Sequence, residues 1–274
     1  MTNVAMITGA SRGIGRTTAL AFAAHGFDVV LAGRRHTSAY SEHRLQGLDG
    51  NPLPGSLDSV AAEIRALGRR AWCINLDLLD IVSVELAAEQ ALTEAGRIDV
   101  LVNNAVYQGR DLNSGLAQLQ IETLQRVAQA YLISPFVLSR RIAQAMAEQG
   151  GGVIINVTSG AGERNPPISA AQGGWGYAYA AGKAAVSRLS GVLKVELGHQ
   201  GIRAYTVNPG VVTTEALQAT IGDAGIRALG AGSAPPELPA AVMLWLATQD
   251  CAGEQQSRTI NAQPFAAEHQ LVTP

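Results

Sequence analysis

Charge is scarce in this chain. Only 15% of its 274 residues are Asp, Glu, Lys or Arg, where globular domains usually carry roughly 25%. The formal net charge is −2, so nothing here would draw a nucleic acid or an anionic membrane, and neither is expected as a partner. Cysteine is as sparse. Two thiols, Cys73 and Cys251, make no disulfide framework and fit a reducing, cytosolic setting. The five histidines (25, 36, 43, 199 and 269) lack ligand spacing, so no metal site is expected. No apolar run reaches the roughly 20 residues that a membrane span needs. An apolar strand beginning by residue 3 leaves no room for a signal peptide, and the expected location is the cytoplasm. Linkers, internal repeats and low-complexity blocks are missing too, so residues 1–274 are expected to form a single domain.

What the chain has is pattern. Its 47% hydrophobic content can bury a sizeable core. Apolar runs at 3–8, 27–33, 70–75, 98–103, 152–158 and 202–208 alternate with helical patterns at 17–25, 57–67, 82–95, 121–148 and 179–199. In the last, Val186, Leu189, Leu193 and Leu197 make one apolar stripe. Alternating strands and helices predict an α/β fold, a doubly wound parallel sheet with helices on both faces. Residues 257–262 are a candidate edge strand.

The first strand runs directly into Gly9-Ala10-Ser11-Arg12-Gly13-Ile14-Gly15, and a helical pattern follows. Strand, glycine-rich turn and helix make a Rossmann-type site, where a dinucleotide pyrophosphate rests on a helix N-terminus. Gly9 permits a tight turn, while Gly13 and Gly15 let backbone approach the phosphates and the helix approach the sheet. The second strand ends Gly33-Arg34-Arg35, with no acid for a ribose 2′-hydroxyl, and the glycine turn itself carries Arg12. Guanidinium groups suit a 2′-phosphate, so NADP(H) is expected over NAD(H). Further on, Tyr179 and Lys183 stand four apart, which in a helix puts both on one face. A free phenol, with a pKa of about 10, is a poor acid or base at neutral pH. A neighbouring ammonium favours the phenolate and lowers that value, so the pair is a candidate acid/base couple.

Together these segments resemble the classical short-chain dehydrogenase/reductase family over nearly the whole chain. Thr8 to Gly15 is similar to that family's cofactor loop, and Asn103-Asn104-Ala105 to its sheet-stabilising Asn-Asn-Ala-Gly. Ile154 to Ser159 is similar to the strand that ends in the catalytic serine, and Tyr179-Ala180-Ala181-Gly182-Lys183 to the active-site segment. Asn208-Pro209-Gly210 with Thr214 is similar to the nicotinamide-side loop. The resemblance implies hydride transfer between NADP(H) and a ketone or secondary alcohol. Tyr179 would be the general acid/base, Lys183 would also hold the nicotinamide ribose, and Ser159 would bind the substrate oxygen. Cofactor contacts are implied at Gly9, Ser11, Arg12, Gly13, Ile14, Gly15, Arg34, Asp77, Asn104, Ala105, Tyr179, Lys183, Pro209, Gly210 and Thr214. Asp77 read alone is a turn residue. A homo-tetramer or homo-dimer through the helices at 121–148 and 179–199 is implied as well.

Two residues depart from the family pattern. Tyr131 stands where relatives commonly carry an asparagine that helps hold a water in the proton relay, and Val106 replaces the glycine after Ala105. Val106 would narrow the cleft or fill core. Two stretches are long. The one between Arg35 and Leu57 is a lid over the 2′-phosphate or a surface excursion. The one between Ser159 and Tyr179 carries Pro166, Pro167, Trp175 and Tyr177 and is expected to border an apolar substrate. Residues 215–235 read as a mobile substrate loop, and the tail 263–274 as a cover for a neighbouring subunit or a free end. Three functions fit: a reductase or dehydrogenase of apolar ketones and alcohols, a 3-oxoacyl-thioester reductase, and a non-catalytic NADP(H)-binding protein in which Tyr131 reflects lost turnover.

Overall fold

The structure is a computed structural model that describes residues 2–34, 50, 51, 53–109, 111–219 and 232–271. Arg35, most of the long stretch after it, and residues 220–231 and 272–274 lie outside the described residues.

Each strand is short, and the inner ones are buried on both faces. β1 (Val4–Thr8), β2 (Asp28–Gly33) and β4 (Val100–Asn103) are buried along their whole length, as expected for a sheet covered on both sides. Alternate side chains divide between two cores. Ala5, Ile7, Val29 and Leu31 pack on one side; Val4, Met6, Val30 and Ala32 pack on the other. With β3 (Ala71–Asn75), β5 (Gly152–Val157), β6 (Ile202–Asn208) and β9 (Thr259–Asn261), these strands form one parallel sheet of order β3-β2-β1-β4-β5-β6-β9. The candidate edge strand at 257–262 is therefore β9. A two-residue parallel pair, β7 (Val211–Val212) with β8 (Ser233–Ala234), stands apart from the sheet.

Helices connect the strands: α1 (Gly13–Ala24), α2 (Leu57–Ala66), α3 (Ile81–Ala95), α4 (Ile121–Val127), α5 (Ser134–Glu148) and α6 (Tyr177–Leu197). Ser56 caps α2 by accepting from the Ser59 N–H, and Asp80 caps α3 by accepting from the Val82 N–H. The pattern at 121–148 is not one uniform helix. A π turn over Ala128–Ile133 separates α4 from α5, and Pro135 supplies the reason. Proline has no N–H to donate and its ring would collide with the carbonyl four residues back, here that of Tyr131. A wider turn accommodates both.

The tail begins with structure of its own. α8 (Ala262–Glu268) packs on α7 (Glu237–Thr248) of the same chain, with the Phe265 ring edge-on to Trp245 at 5.2 Å and 4.1 Å from His269. The chain winds outward from β1 to β3, then crosses back to place β4 beside β1. This switch point opens a crevice beyond the strand ends, the usual position of a ligand in such a sheet.

Candidate active site

One lip of the crevice is the glycine turn. Gly9 has φ +69°, and a Cβ there would lie 3.0 Å from both the Ala105 Cα and the Asn104 amide nitrogen. A Cβ on Gly15 would sit 2.2 Å from the Gly9 carbonyl oxygen. Glycine at both positions is thus a steric requirement of bringing α1 against β1 and the end of β4. Thr8 fastens that junction. Its Oγ1 donates to the Val102 carbonyl and accepts from the Asn104 and Ala105 N–H groups, while the Asn104 side-chain amide donates to the Thr8 carbonyl. Thr8 had no assigned role in the sequence; only the β1–β4 register of the sheet gives it one. Asn103 faces the other way, donating from Nδ2 to Ser139 Oγ and Asn156 Oδ1, which ties α5 to two central strands.

The Gly13 N–H, at the start of α1, donates to the Glu215 carboxylate at 3.1 Å. Thr214 lies alongside, its Cγ2 3.2 Å from where a Gly13 Cβ would be, and its Oγ1 accepts from the Leu217 N–H. A helix N-terminus that already takes a carboxylate, beside glycines with no side chain to fill the space, has the polarity and room for a pyrophosphate. Ile14 packs its side chain on the core below. Arg12 donates to the Leu53 and Pro54 carbonyls at 3.1 and 3.0 Å, so the end of the long stretch after β2 is moored on the glycine turn. Arg34 is exposed just past β2. Asp77 is buried and accepts from the Leu79 N–H, the turn role it has when read alone. Pro209 leads into Gly210, which has φ +74° and donates its N–H to Asn208 Oδ1.

The other lip is built by β5 and α6. Thr158 Oγ1 donates to the Lys183 carbonyl and bonds Ser187 Oγ, clamping the strand end to the helix. Ser159, next in sequence, accepts from the Ala161 N–H and lies near enough to the Tyr179 phenol to favour its ionised form. Lys183 is buried and its Nζ donates to the Val157 carbonyl at 2.9 Å. Ser159, Tyr179 and Lys183 therefore meet at one end of the sheet.

Their electrostatics differ from the sequence expectation. The Tyr179 pKa is raised, not lowered, because burial of the phenolate outweighs the favourable interaction with Ser159. Burial also moves Lys183 down, to about 8. Lys183, whose Nζ donates to the Val157 carbonyl, is not among the causes of the Tyr179 shift, contrary to what the i,i+4 spacing suggested. Tyr179 is thus held as the neutral acid at neutral pH.

The structure decides between the two readings of Val106. Val106 packs against the cluster of Tyr107, Val127, Tyr131 and Val186, so it fills core. Trp175 and Tyr177 belong to the long stretch between Ser159 and Tyr179. With Leu116, Pro166, Ala181 and Ala184 they line a groove of about 570 Å³ on the face of α6 turned away from Tyr179 and Lys183.

The family model for short chain dehydrogenase matches residues 3–49 and 52–224. A 3-oxoacyl-[acyl-carrier-protein] reductase of Synechocystis sp. is 31% identical over 259 residues, 94% of each chain. A 7alpha-hydroxysteroid dehydrogenase of Escherichia coli is 31% identical over 79% of this chain and 74% of its own. Among solved structures, an acetoin dehydrogenase from Enterobacter cloacae superposes with a TM-score of 0.75 at 28% identity, covering 100% of this chain and 99% of that one. With every strand of the sheet but β9, the glycine turn and the Ser159–Tyr179–Lys183 cluster falling within the family match, this chain belongs to the short-chain dehydrogenase/reductase family of oxidoreductases.

Proposed function

We propose that this protein is an NADP(H)-dependent carbonyl reductase, or alcohol dehydrogenase in reverse, acting on an apolar ketone or secondary alcohol. The observation that carries the reading is the convergence of Ser159, neutral Tyr179 and buried Lys183 on the crevice whose opposite lip is the glycine turn.

The nicotinamide, when bound, supplies or accepts a hydride at the carbon of the substrate. The residues do the rest. In reduction, the Tyr179 hydroxyl gives its proton to the carbonyl oxygen as that oxygen gains charge, and Ser159 donates a hydrogen bond to the same atom. Lys183, held against the Val157 carbonyl beside them, would also hold the nicotinamide ribose. In oxidation the proton returns to Tyr179. Gly9, Gly13 and Gly15 would receive the pyrophosphate, with Ser11, Asn104 and Ala105 beside it and Asp77 at the adenine end. Pro209, Gly210 and Thr214 would flank the nicotinamide. The test is NADPH consumption by purified protein against a panel of aliphatic, aromatic and steroid-like ketones; binding of NADPH with no turnover on any of them would favour a binding protein instead.

The choice of NADP(H) rests on Arg12 and Arg34 and on the absence of an acid at the end of β2. NADPH should bind at least about tenfold tighter than NADH, a difference of about 1.4 kcal/mol, and Arg34→Ala should narrow it. Equal dissociation constants would remove this part of the reading. Glu215 competes for the same helix N-terminus, so Glu215→Gln should tighten NADPH about fivefold, near 1 kcal/mol. A titration by intrinsic fluorescence reads both.

A 3-oxoacyl-thioester substrate is favoured by one specific observation, the reductase relative that matches 94% of the chain; a 4′-phosphopantetheine-linked ketone belongs in the panel for that reason. Assembly as a homo-dimer or tetramer through α5 and α6 is supported by Phe136, Val192 and Val195, which stand 46%, 43% and 81% exposed. Among the described residues no helix is long and apolar enough to cross a membrane, in keeping with the proposed cytoplasmic location.

A further inference from the structure

Tyr131 is one of the largest fully buried side chains, with 1% of its surface exposed. It sits in the π turn between α4 and α5, and its ring lies against α6 at Gly182. A Cβ on Gly182 would come within 2.9 and 3.0 Å of two ring carbons and 2.8 Å of Val127 Cγ1, so only glycine admits the ring this close. One residue further along α6, the Lys183 Nζ is 5.6 Å from the centroid of the same ring, within reach of its negative face. On its other side the ammonium donates to the Val157 carbonyl.

The hydroxyl of Tyr131 is committed elsewhere. It donates to the Tyr107 carbonyl at 2.7 Å, which pins the far end of the ring. Tyr107 is held in turn, its phenol donating to Asp111, and Asp111 also accepts from Thr123 and Arg126 on α4. A donor used in this way has no proton to pass to Lys183. What Tyr131 offers the lysine is therefore a rigid aromatic wall.

We propose that Tyr131 is a positioning residue for Lys183: its ring, packed against α6 at Gly182, confines the ammonium against the Val157 carbonyl and keeps water from that side of it. The consequence for turnover rests on the reading of Tyr179 and Lys183 as the acid/base pair; the confinement itself does not.

The chain supplies a clean probe, because Lys183 and Lys194 are its only lysines. Acetylation by acetic anhydride, followed by peptide mass spectrometry, reads the rate at Lys183 against that at the partly exposed Lys194. In the native protein and in Tyr131→Phe, Lys183 should react at least about tenfold more slowly than the partly exposed Lys194. In Tyr131→Leu, and in Gly182→Ala, where the added methyl displaces the ring, protection should fall about tenfold. The turnover number should follow the same order: within about twofold of native for Tyr131→Phe, and down about 10-fold to 100-fold for Tyr131→Leu and Gly182→Ala, the range that a misplaced catalytic group costs. Thermal melts identify any variant that is merely unfolded, and either Tyr131→Leu or Gly182→Ala is enough to decide. Unchanged protection in a folded variant overturns the proposal, and so does a loss in Tyr131→Phe equal to that in Tyr131→Leu, which would give the role to the hydroxyl. Absence of turnover in the native protein would count against the reductase reading alone, since the acetylation result stands without it.

Discussion

Tyr179→Phe should lower turnover by about 10²-fold to 10⁴-fold, the usual contribution of a general acid/base, while leaving NADPH binding within about twofold. The substitution removes one oxygen and keeps the ring that packs against the cluster of Tyr107, Val127 and Tyr131. Fold and cofactor cradle should survive, because none of the glycine-turn contacts passes through the phenol. The direction of the Tyr179 pKa adds a sign. Burial holds the phenol protonated across the neutral range, so reduction, which consumes that proton, should run well at neutral pH, whereas oxidation, which needs the phenolate, should rise with pH. Stopped-flow measurement of both directions checks this. A mutant that still turns over within tenfold of native would remove Tyr179 from the chemistry.

Lys183→Met should make the protein more stable at neutral pH and inactive as a reductase. The folded pKa of Lys183 is about 8, against an ordinary 10.5. The unfolded chain therefore holds its proton through a range where the folded chain has released it. Between pH 8 and 10.5 the unfolded state binds more protons, so native stability rises with pH across that window. Below pH 8 the buried charge costs about 3 kcal/mol at 1.36 kcal/mol per pKa unit. Methionine keeps the length and apolar bulk of the side chain but leaves the Val157 carbonyl without this donor, a loss of about 1 kcal/mol. The net gain of about 2 kcal/mol corresponds to a Tm higher by about 4–8 °C in a chain of this size. That advantage should shrink as the pH is raised toward 10.5. Equal melting temperatures at pH 7 would mean that the ammonium is paired or solvated at no cost. A higher melting temperature in the variant would make Lys183 one more case of a functional group held against the stability of its own fold.

Much of this was legible in the chain. Apolar runs marked every strand up to β6 in its place, and the run at 257–262 marked the edge, because the sheet is covered on both faces and its strands need little else. Glycines at 9, 13 and 15 announced the turn, since the contacts at 9 and 15 and the positive φ at 9 and 13 disfavour any side chain. The helix α7, by contrast, was not read from its sequence, because it is apolar nearly all round and shows no face. The π turn had a signal in Pro135 that periodicity alone passes over.

What the sequence determined by itself was local: where the chain extends, where it coils, where only glycine fits, and that Tyr179 and Lys183 share one side of a helix. Backbone sterics and side-chain period decide those things over a few residues. The tertiary structure alone decided what surrounds each group. It set the Glu215 carboxylate on the Gly13 amide across 202 positions of sequence, gathered Trp175 and Tyr177 with Leu116 into one groove, and laid the ring of Tyr131 over Lys183. It also reversed the expected direction of the Tyr179 pKa. Spacing fixes which charge lies near the phenol, but the balance between that charge and the loss of water depends on burial, and burial exists only once distant segments have packed.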